Sequence, residues 1–544
     1  MLLENHTCII ICLSISIGII IMDAEKYIMM SALTRYNYFP NQKSNIGELP
    51  PIVNSRTFTP EVAIEISKER YRFDGYDVVT YLATRFNNAP RELSLIHPKA
   101  YADLVNHIVT HWDKIKHIEE NPNSIIRPEI HHDGRVFIMN YGDPVEKAER
   151  SMLNSFGKKF LVKTDISNCF NSIYTHAISW GLVTIPKAKK ESGREHSDKW
   201  FNKYDKLQRN CKRNETQGVP IGPGTSNIAL ECMLFEIDKI LRENNFDFYR
   251  YVDDYECFCK DDNEAHLFIK TLRDELYKYK FFLSSHKTEI IKLPAPYGEE
   301  WIMELTTALP RRLHNASENE PELSSYEAID FINKAIHINN AYPDGSVLKF
   351  ALQTIMPFIS DDAAHSLYKQ TLTLSWHYPI LIPYLEKLIE KSALPTSSFE
   401  GDINKLIVEN CSMNRSDGIS WPLYILYKFG GELSDTAMQA ILKSNDGVSM
   451  ALLYHTAQDI SQLIDFAKGI VDSEDLYLKD SQWLLLYELF KDGVIENPYP
   501  QEGKVFEILK DNDVSFILTE DSPLTKAENK SEAMYDSLVF DDLF

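Results

Sequence analysis

The stretch FDFYRYVDDYECFCK, residues 246–260, carries two adjacent carboxylates, Asp253 and Asp254, between aromatic and β-branched residues. Such flanks are typical of short strands, so we expect a hairpin with both acids at its tight turn. A turn of this kind can hold a metal ion. Taken alone the signal is weak, because three further Asp-Asp pairs occur in the chain and an acidic turn is usually a solvated one.

Three other segments stand in a fixed order around this turn. Residues 158–173 (KKFLVKTDISNCFNSI) form an apolar, strand-like run that ends in Asp165, with Phe170 five positions on. Residues 217–227 (QGVPIGPGTSN) form a Gly/Pro turn that opens into a helix, and residues 280–291 (KFFLSSHKTEII) follow the acidic turn. This order resembles motifs A to D of the reverse transcriptase palm.

The chemistry of that family explains the residue types. Nucleotide addition is an in-line phosphoryl transfer that uses two divalent ions about 3.5–4 Å apart. Carboxylate oxygens suit Mg²⁺, with Mn²⁺ as the alternative. By resemblance, Asp165 and Asp253 bridge the ions, Asp254 supports them, and the backbone carbonyl of Ile166 completes the shell. Two strands must contribute because one turn cannot surround two ions.

The resemblance also assigns contacts to the dNTP substrate. Phe170 stands at the family's steric gate, where an aromatic ring fills the space of a ribose 2′ hydroxyl and favours DNA as product. RNA-dependent RNA polymerases usually carry Gly-Asp-Asp and a polar gate, so Val252 and Phe170 both argue against them. Gln217 and Gly218 would lie beneath the incoming base and template, where glycine permits close approach. Lys287 would meet the leaving phosphates; a solvent-facing lysine is the alternative.

The N-terminal 150 residues are harder to interpret. Residues 1–22 contain an apolar run that is short for a membrane span and lacks a positive leader, so membrane anchoring is not favoured. We prefer translation from Met22, and a hydrophobic extension docked on the body stays open. Residues 23–150 are assigned to an N-terminal segment and fingers. There, residues 133–140 would form one arm of a hairpin and place Arg135 near the triphosphate; a structural arginine is the alternative.

Charge is divided unevenly along the chain. Residues 151–213 hold 13 basic and five acidic side chains. Such a cluster beside a candidate active site suits a nucleic-acid backbone, with a solvated helical face as the alternative. Residues 301–544 hold 18 basic and 38 acidic side chains, so most of the net charge of −22 belongs to this half. The overall acidity therefore does not exclude RNA or DNA as a partner.

The palm is assigned to residues 151–300 and a thumb or connector to residues 301–325. From residue 326 to 518, apolar residues recur at helical intervals with short polar breaks. The predicted helices are 326–338, 346–359, 362–374, 381–391, 403–409, 421–429, 435–443 and 475–490. Helices in series without strands resemble HEAT repeats, and a plain helical domain is the alternative. Residues 519–544 are read as an acidic tail.

Other chemistries find no support in the sequence. It contains no phosphate-binding Gly-x-x-x-x-Gly-Lys-Ser/Thr loop, no His-Glu-x-x-His and no Gly-x-Ser-x-Gly. The eight cysteines show neither Cys-x-x-Cys pairs nor zinc-ligand spacing, which is typical of a reducing compartment, and we expect a cytoplasmic protein. Cys257 and Cys259 should pack on one face of a strand.

Two further stretches resemble one group of reverse transcriptases. Residues 36–63, and the insertion between Asp165 and Gln217, are similar to bacterial antiviral enzymes of the abortive-infection type. That resemblance implies an α/β (α+β) palm with fingers and thumb, followed by an all-α HEAT-like helical repeat domain. It also implies RNA-directed or untemplated DNA synthesis, a noncoding RNA partner, a homo-oligomer and a phage protein as trigger. The Gly222-Pro223 sequence departs from the commoner Gln-Gly-x-x-x-Ser-Pro and bears on template handling.

Two alternatives remain at this stage. A retron-like or group II intron-like reverse transcriptase would copy a dedicated RNA, although no maturase or endonuclease segment is visible. A non-catalytic sensor or scaffold would instead bind a phage protein through its C-terminal helical domain. Polymer synthesis by the purified protein distinguishes the two classes.

Overall fold

The computed structural model describes residues 23–40, 46–138, 144–313, 322–343 and 345–519. The apolar leader, all but the first residue of the acidic tail, and residues 139 and 140 of the predicted fingers arm lie outside the described residues. Within the described ranges, no helix is long and apolar enough to cross a membrane.

In the described ranges, six strands form two antiparallel sheets. They are β1 (Val78–Thr84), β2 (Pro90–Ile96), β3 (Phe160–Asp165), β4 (Asp247–Tyr251), β5 (Asp254–Cys259) and β6 (Glu289–Lys292). The first two form a hairpin, and the other four form a sheet in the order β4-β5-β3-β6. The hairpin around the acidic turn and the strand that ends in Asp165 are therefore confirmed.

The four-stranded sheet buries one face against helices. Its strands alternate, so that Val162, Phe248 and Cys257 point into the main core. Cys259 is buried beside Cys257, as the strand period predicts, with 3.7 Å between their sulfur atoms. The other face carries the acids at one end.

Helices of the N-terminal half precede, link and cover the sheets. They are α1 (Ala24–Ser31), α2 (Pro60–Ser67), α3 (Pro98–Thr110), α4 (Trp112–Ile115), α5 (Pro144–Ser155), α6 (Cys169–Ser172), α7 (His176–Val183), α8 (Ile185–Lys190), α9 (Trp200–Asn210), α10 (Gly224–Glu243), α11 (Asp262–Lys278) and α12 (Glu300–Thr306). The long helix α10 begins in the Gly/Pro turn, where Pro223 precedes the first helical residue. Helices α10 and α11 pack against each other, and α11 covers β3 and β5.

The C-terminal half is helical, as predicted. Its helices are α13 (Ser325–Ala341), α14 (Val347–Ile355), α15 (Asp361–His377), α16 (Ile382–Lys391), α17 (Glu400–Ser412), α18 (Ser416–Phe429), α19 (Asp435–Ser444), α20 (Gly447–Thr456), α21 (Ser461–Val471), α22 (Leu476–Ser481), α23 (Trp483–Lys491) and α24 (Val505–Asp511). All eight predicted segments fall on helices, although residues 475–490 form two. Neighbours in sequence pack together, such as α17 with α18 and α15 with α16. A HEAT-like repeat remains a prediction.

This helical half is docked on the N-terminal half. Arg72 Nη2 donates to both carboxylate oxygens of Asp480 at 2.8 and 2.7 Å, and the Asp480 side chain is fully buried. Asp417 on α18 accepts hydrogen bonds from the backbone and side chain of Thr84 on β1. The helical region therefore supports the β1–β2 hairpin as well as following the palm in sequence.

The predicted fingers arm has a different conformation. Residues 133–138 form no strand; they belong to a tight turn in which Glu129 N donates to Val136 O and His131 N to Arg135 O. Over its described residues the predicted hairpin arm therefore forms a turn with cross-turn hydrogen bonds and no strand. The hairpin that precedes the palm sheet in the described residues is β1–β2.

Candidate active site

The sheet register brings the acids of the two motifs together. Asp165 lies directly opposite Asp254 in the antiparallel pair of β3 and β5. Directly opposed residues have their Cβ atoms about 4.5–5.5 Å apart and share one face of the sheet. Asp253 occupies the turn between β4 and β5, and its carbonyl oxygen accepts a hydrogen bond from Ile166 N at 3.2 Å. The four residues predicted to bind metal are thus neighbours.

The carboxylates repel one another. Burial, followed by the charges of Asp165 and Asp254, raises the pKa of Asp253 from 3.8 to about 7. Desolvation by surrounding protein atoms and the charge of Asp165 raise the pKa of Asp254 to about 6. Like charges in a partly dry site hold protons until a cation relieves the repulsion.

Lys287 supplies one such cation. Its ammonium group donates to Asp165 Oδ2 and forms an ion pair with it. Partial burial lowers the pKa of Lys287, but the hydrogen bond and charge of Asp165 outweigh this effect and raise it. The lysine predicted from motif D therefore lies at the acids, although its side chain is 66% exposed.

The acids fit a divalent ion. Asp165 Oδ1 is buried and has no hydrogen-bond partner among the described residues, so one ligand oxygen is available on the most buried acid. Hard carboxylate oxygens are what Mg²⁺ prefers. In the described part of the chain, no three His, Cys, Asp or Glu side chains already stand as a complete metal cluster. The two-ion assignment of Asp165, Asp253 and Asp254 therefore stays a prediction.

The Gln-Gly turn lies beside motif A. Gly218 N donates to Ile173 O at 2.8 Å, and Gln217 Nε2 donates to Asn171 O at 3.1 Å. Gly218 has a φ of +78°, and a Cβ there would lie 3.1 Å from Asn171 O. Glycine is required here for both the positive φ and the close approach. Gln217 is exposed to solvent.

Phe170 joins these two motifs. It lies on the short helix α6, its ring is half-buried against the core, and its carbonyl accepts a hydrogen bond from Val219 N at 3.1 Å. The predicted gate residue is thereby fixed between the strand that ends in Asp165 and the Gln-Gly turn.

Arg135 is paired with an acid of its own turn. Its guanidinium pairs with Asp133, with Nε 2.7 Å and Nη2 2.6 Å from Asp133 Oδ2. The side chain is mostly buried, and Val136 beside it is held by Asn37 Oδ1. This placement matches the alternative of a structural arginine.

The sequence analysis did not identify two basic residues that lie near the acids. Lys147 on α5 lies close enough to Asp254 to lower its pKa in part, which the distance in sequence concealed. Arg250 is fully buried directly behind the acidic turn. A charged residue inside the apolar run FYRYV was the signal that could have identified it.

The geometry defines a palm of the kind used in nucleotidyl transfer, with acids on two adjacent strands and a glycine turn beside them. Residues 99–312 match the family model "Reverse transcriptase (RNA-dependent DNA polymerase)". This span includes all of the predicted site residues. The chain therefore contains a reverse transcriptase domain, and the prediction of that domain is confirmed.

Solved structures with detectable similarity include two telomerases. Apo telomerase from Candida tropicalis is 11% identical with a TM-score of 0.30, covering 68% of this chain and 66% of that one, just under two thirds of its length. Telomerase from Candida albicans in complex with a TWJ fragment of telomeric RNA is 12% identical with a TM-score of 0.27, covering 66% and 67%. No curated protein matches the chain. At these TM-scores the two similarities carry no argument about activity.

Proposed function

We propose that this chain adds deoxynucleotides to a 3′ hydroxyl, with Asp165, Asp253 and Asp254 holding two divalent ions. The observation that carries the proposal is the opposition of Asp165 and Asp254 across β3 and β5, with Asp253 in the adjoining turn. Bound at these oxygens, Mg²⁺ supplies the charge that favours attack by the hydroxyl and departure of pyrophosphate.

The surrounding side chains act on the nucleotide. The Lys287 ammonium group is paired with Asp165, and its side chain is mostly exposed. It would place a positive charge where the leaving phosphates lie. Phe170 limits space beside the sugar and selects dNTPs. Gly218 lets the backbone of the Gln-Gly turn approach the template base closely.

The polymerase copies an RNA template or works without a template. The reverse transcriptase domain supports RNA as template, and the resemblance to the abortive-infection group supports synthesis without one. Purified protein is incubated with Mg²⁺ and each dNTP alone, then with primed RNA, primed DNA or neither. A copying enzyme requires the primed template and incorporates the complementary nucleotide, an untemplated enzyme needs none, and a scaffold produces no polymer.

Two aspartate variants distinguish loss of the proposed site from loss of the fold. Asp253→Ala should abolish synthesis, whereas Asp262→Ala, in an exposed Asp-Asp pair at the start of α11, should leave it unchanged. Retained synthesis by a folded Asp253→Ala protein would reject the proposed site.

The resemblance to bacterial antiviral enzymes further supports a role in phage defence within the cytoplasm. Cells that express the wild-type chain should form fewer plaques with a susceptible phage than cells that express Asp253→Ala. Equal plaque counts across a broad phage panel, from a wild-type protein that is active in vitro, would reject this role while leaving the polymerase assignment intact.

A further inference from the structure

Arg250 lies on the side of the palm sheet opposite to the acids. It is the register partner of Tyr255, and the preceding residue of β5, Asp254, is on the other face with Asp165. The Arg250 side chain is completely buried, two residues before the acidic turn. Arginine is almost never fully buried unless it is paired, so its partners indicate what it does.

Two carboxylates of α10 hold the guanidinium. Glu231 accepts from Nη1 and Nη2 at 2.8 and 2.9 Å, and Asp238 accepts from Nε and Nη2 at 3.1 and 2.9 Å. Asp238 also accepts from the Tyr255 hydroxyl at 3.0 Å and from Asn121 Nδ2 at 2.8 Å. The arginine is therefore held rigidly from the helix side.

The same guanidinium reaches the acidic turn. Arg250 Nη1 donates to the carbonyl oxygen of Val252 at 2.5 Å. Val252 is the first of the two turn residues and has a φ of +56°. A β-branched residue in this region is an outlier that persists only when its surroundings enforce it.

A purely structural role does not explain this arrangement. Buried ion pairs generally stabilise no more than well-packed apolar residues of similar size, because their desolvation is costly. The bond to Val252 is the feature that an apolar residue could not replace. A lysine could not replace it either, since one ammonium cannot serve two carboxylates and a carbonyl with the geometry of the planar fork.

We propose that Arg250 is a positioning residue that holds Val252 at its positive φ and thereby aims Asp253 and Asp254 at the ion site. This inference rests on the proposed function, because it assigns those acids to ion binding. Helix α10 thus sets the position of the acids from behind the sheet, through Glu231, Asp238 and the arginine between them.

The first test is Arg250→Lys, which keeps the buried charge. Arg242→Lys is the matched control, since Arg242 also lies on this network but donates to Asn121 and Asn123 and does not contact the turn. Arg250→Lys should reduce kcat about 100-fold, the cost of displacing a reacting geometry by roughly 1 Å. The Mg²⁺ concentration for half-maximal rate should rise with it, and the control should change neither value.

The second test is rescue by Val252→Gly. Glycine adopts positive φ without strain, so a turn with glycine in place of Val252 no longer needs the arginine to enforce its conformation. Arg250→Lys should therefore cost less than about tenfold in the Val252→Gly background, against about 100-fold in the wild type. An arginine that acted on the fold alone would produce the same loss in both backgrounds.

Ion binding gives a readout that does not depend on activity. Mn²⁺ affinity, measured by electron paramagnetic resonance on protein without nucleotide, should fall in Arg250→Lys and recover in the double variant. If Arg250→Lys does not fold, Glu231→Gln/Arg250→Gln is compared with Glu231→Gln alone. Relative to Glu231→Gln, this second pair should show the losses of kcat and Mn²⁺ affinity expected for Arg250→Lys. Unchanged kcat and Mn²⁺ affinity in these variants, or equal losses in both backgrounds, overturn the proposal. Failure of the proposed function differs, because the wild-type protein itself then makes no polymer.

Discussion

Asp165, the last residue of β3, lies directly opposite Asp254, the first residue of β5, and Lys287 is paired with the Asp165 carboxylate from a third segment. Acids from separate strands thus meet at one edge of the palm, together with a cation.

Proton and metal ion should compete for the acidic turn. Because burial and like charges raise the pKa of Asp253 to about 7, the metal-free carboxyl is protonated below that pH and must lose its proton to bind an ion. The apparent Mn²⁺ affinity should fall by up to about tenfold for each pH unit below 7. Titrations by electron paramagnetic resonance between pH 8 and 5.5 measure this, and a constant affinity would contradict it.

The stability of the metal-free protein should fall as the pH rises through the pKa of Asp253. The folded pKa of Asp253 lies above the ordinary value of 3.8, so the folded state binds this proton more tightly than the unfolded state does. Its contribution to stability is fully present below about pH 4 and is lost as the pH rises to about 7. Asp253→Asn should remove that loss and raise the metal-free unfolding temperature at pH 8, relative to wild type. A lower unfolding temperature for Asp253→Asn than for wild type at pH 8 would contradict the repulsion between Asp253 and the neighbouring carboxylates.

Lys287→Met should slow nucleotide incorporation by about 10²-fold, the lower range for a group that assists proton or charge transfer. The variant removes the ammonium from Asp165 and from the leaving phosphates. Lys280→Met is the matched control, because Lys280 is an exposed lysine of the same segment that lies over the Tyr277 ring, 5.6 Å from its centroid. Single-turnover incorporation rates compare the two, and equal effects would place Lys287 outside the reaction.

Phe170→Ala should admit ribonucleotides. The ring is fixed beside the Gln-Gly turn, so its removal opens the space for a 2′ hydroxyl and should reduce the preference for dNTP over rNTP on the order of 100-fold. Phe156→Ala, which removes a ring that is 91% exposed on the surface, is the control. The ratio of kcat/KM values for the two nucleotides is the measurement. An unchanged ratio with full dNTP activity would show that another group screens the sugar.

Gly218→Ala should destabilise the fold more than Gly157→Ala. Both glycines have nearly the same positive φ, +78° and +77°, but a Cβ at Gly157 meets nothing within 4 Å. The difference therefore isolates the contact with Asn171, and we expect about 1 kcal/mol or more in the free energy of unfolding. Denaturant titration measures both, and equal losses would mean that only the backbone conformation matters.

The local patterns predicted the palm well. An apolar run that ends in Asp165 located β3, and aromatic and β-branched residues on both sides of an acidic pair located β4, β5 and the turn between them. In the C-terminal half, helical spacing located most of the helices. It missed α20, α21 and α24. In α20, Val448 to Leu453 are buried on every side and leave no polar stripe to reveal the helical period.

Contacts between distant segments could not be predicted in this way. The pair of Arg72 and Asp480 joins the two halves of the chain, and no local pattern records it. The pairing of Arg135 with Asp133 is local, but the sequence alone did not distinguish it from a contact with the triphosphate. The pairing of Arg250 could not be predicted, because its partners Glu231 and Asp238 lie on another element.

The most direct test is a crystal structure of the protein with Mn²⁺ and a dNTP, with anomalous scattering used to locate the metal. The account predicts two peaks about 3.5–4 Å apart, within ligand distance of Asp165 and Asp253 and with Lys287 displaced from Asp165. Well-ordered dNTP with no peak at these acids, or with manganese bound elsewhere, would contradict it.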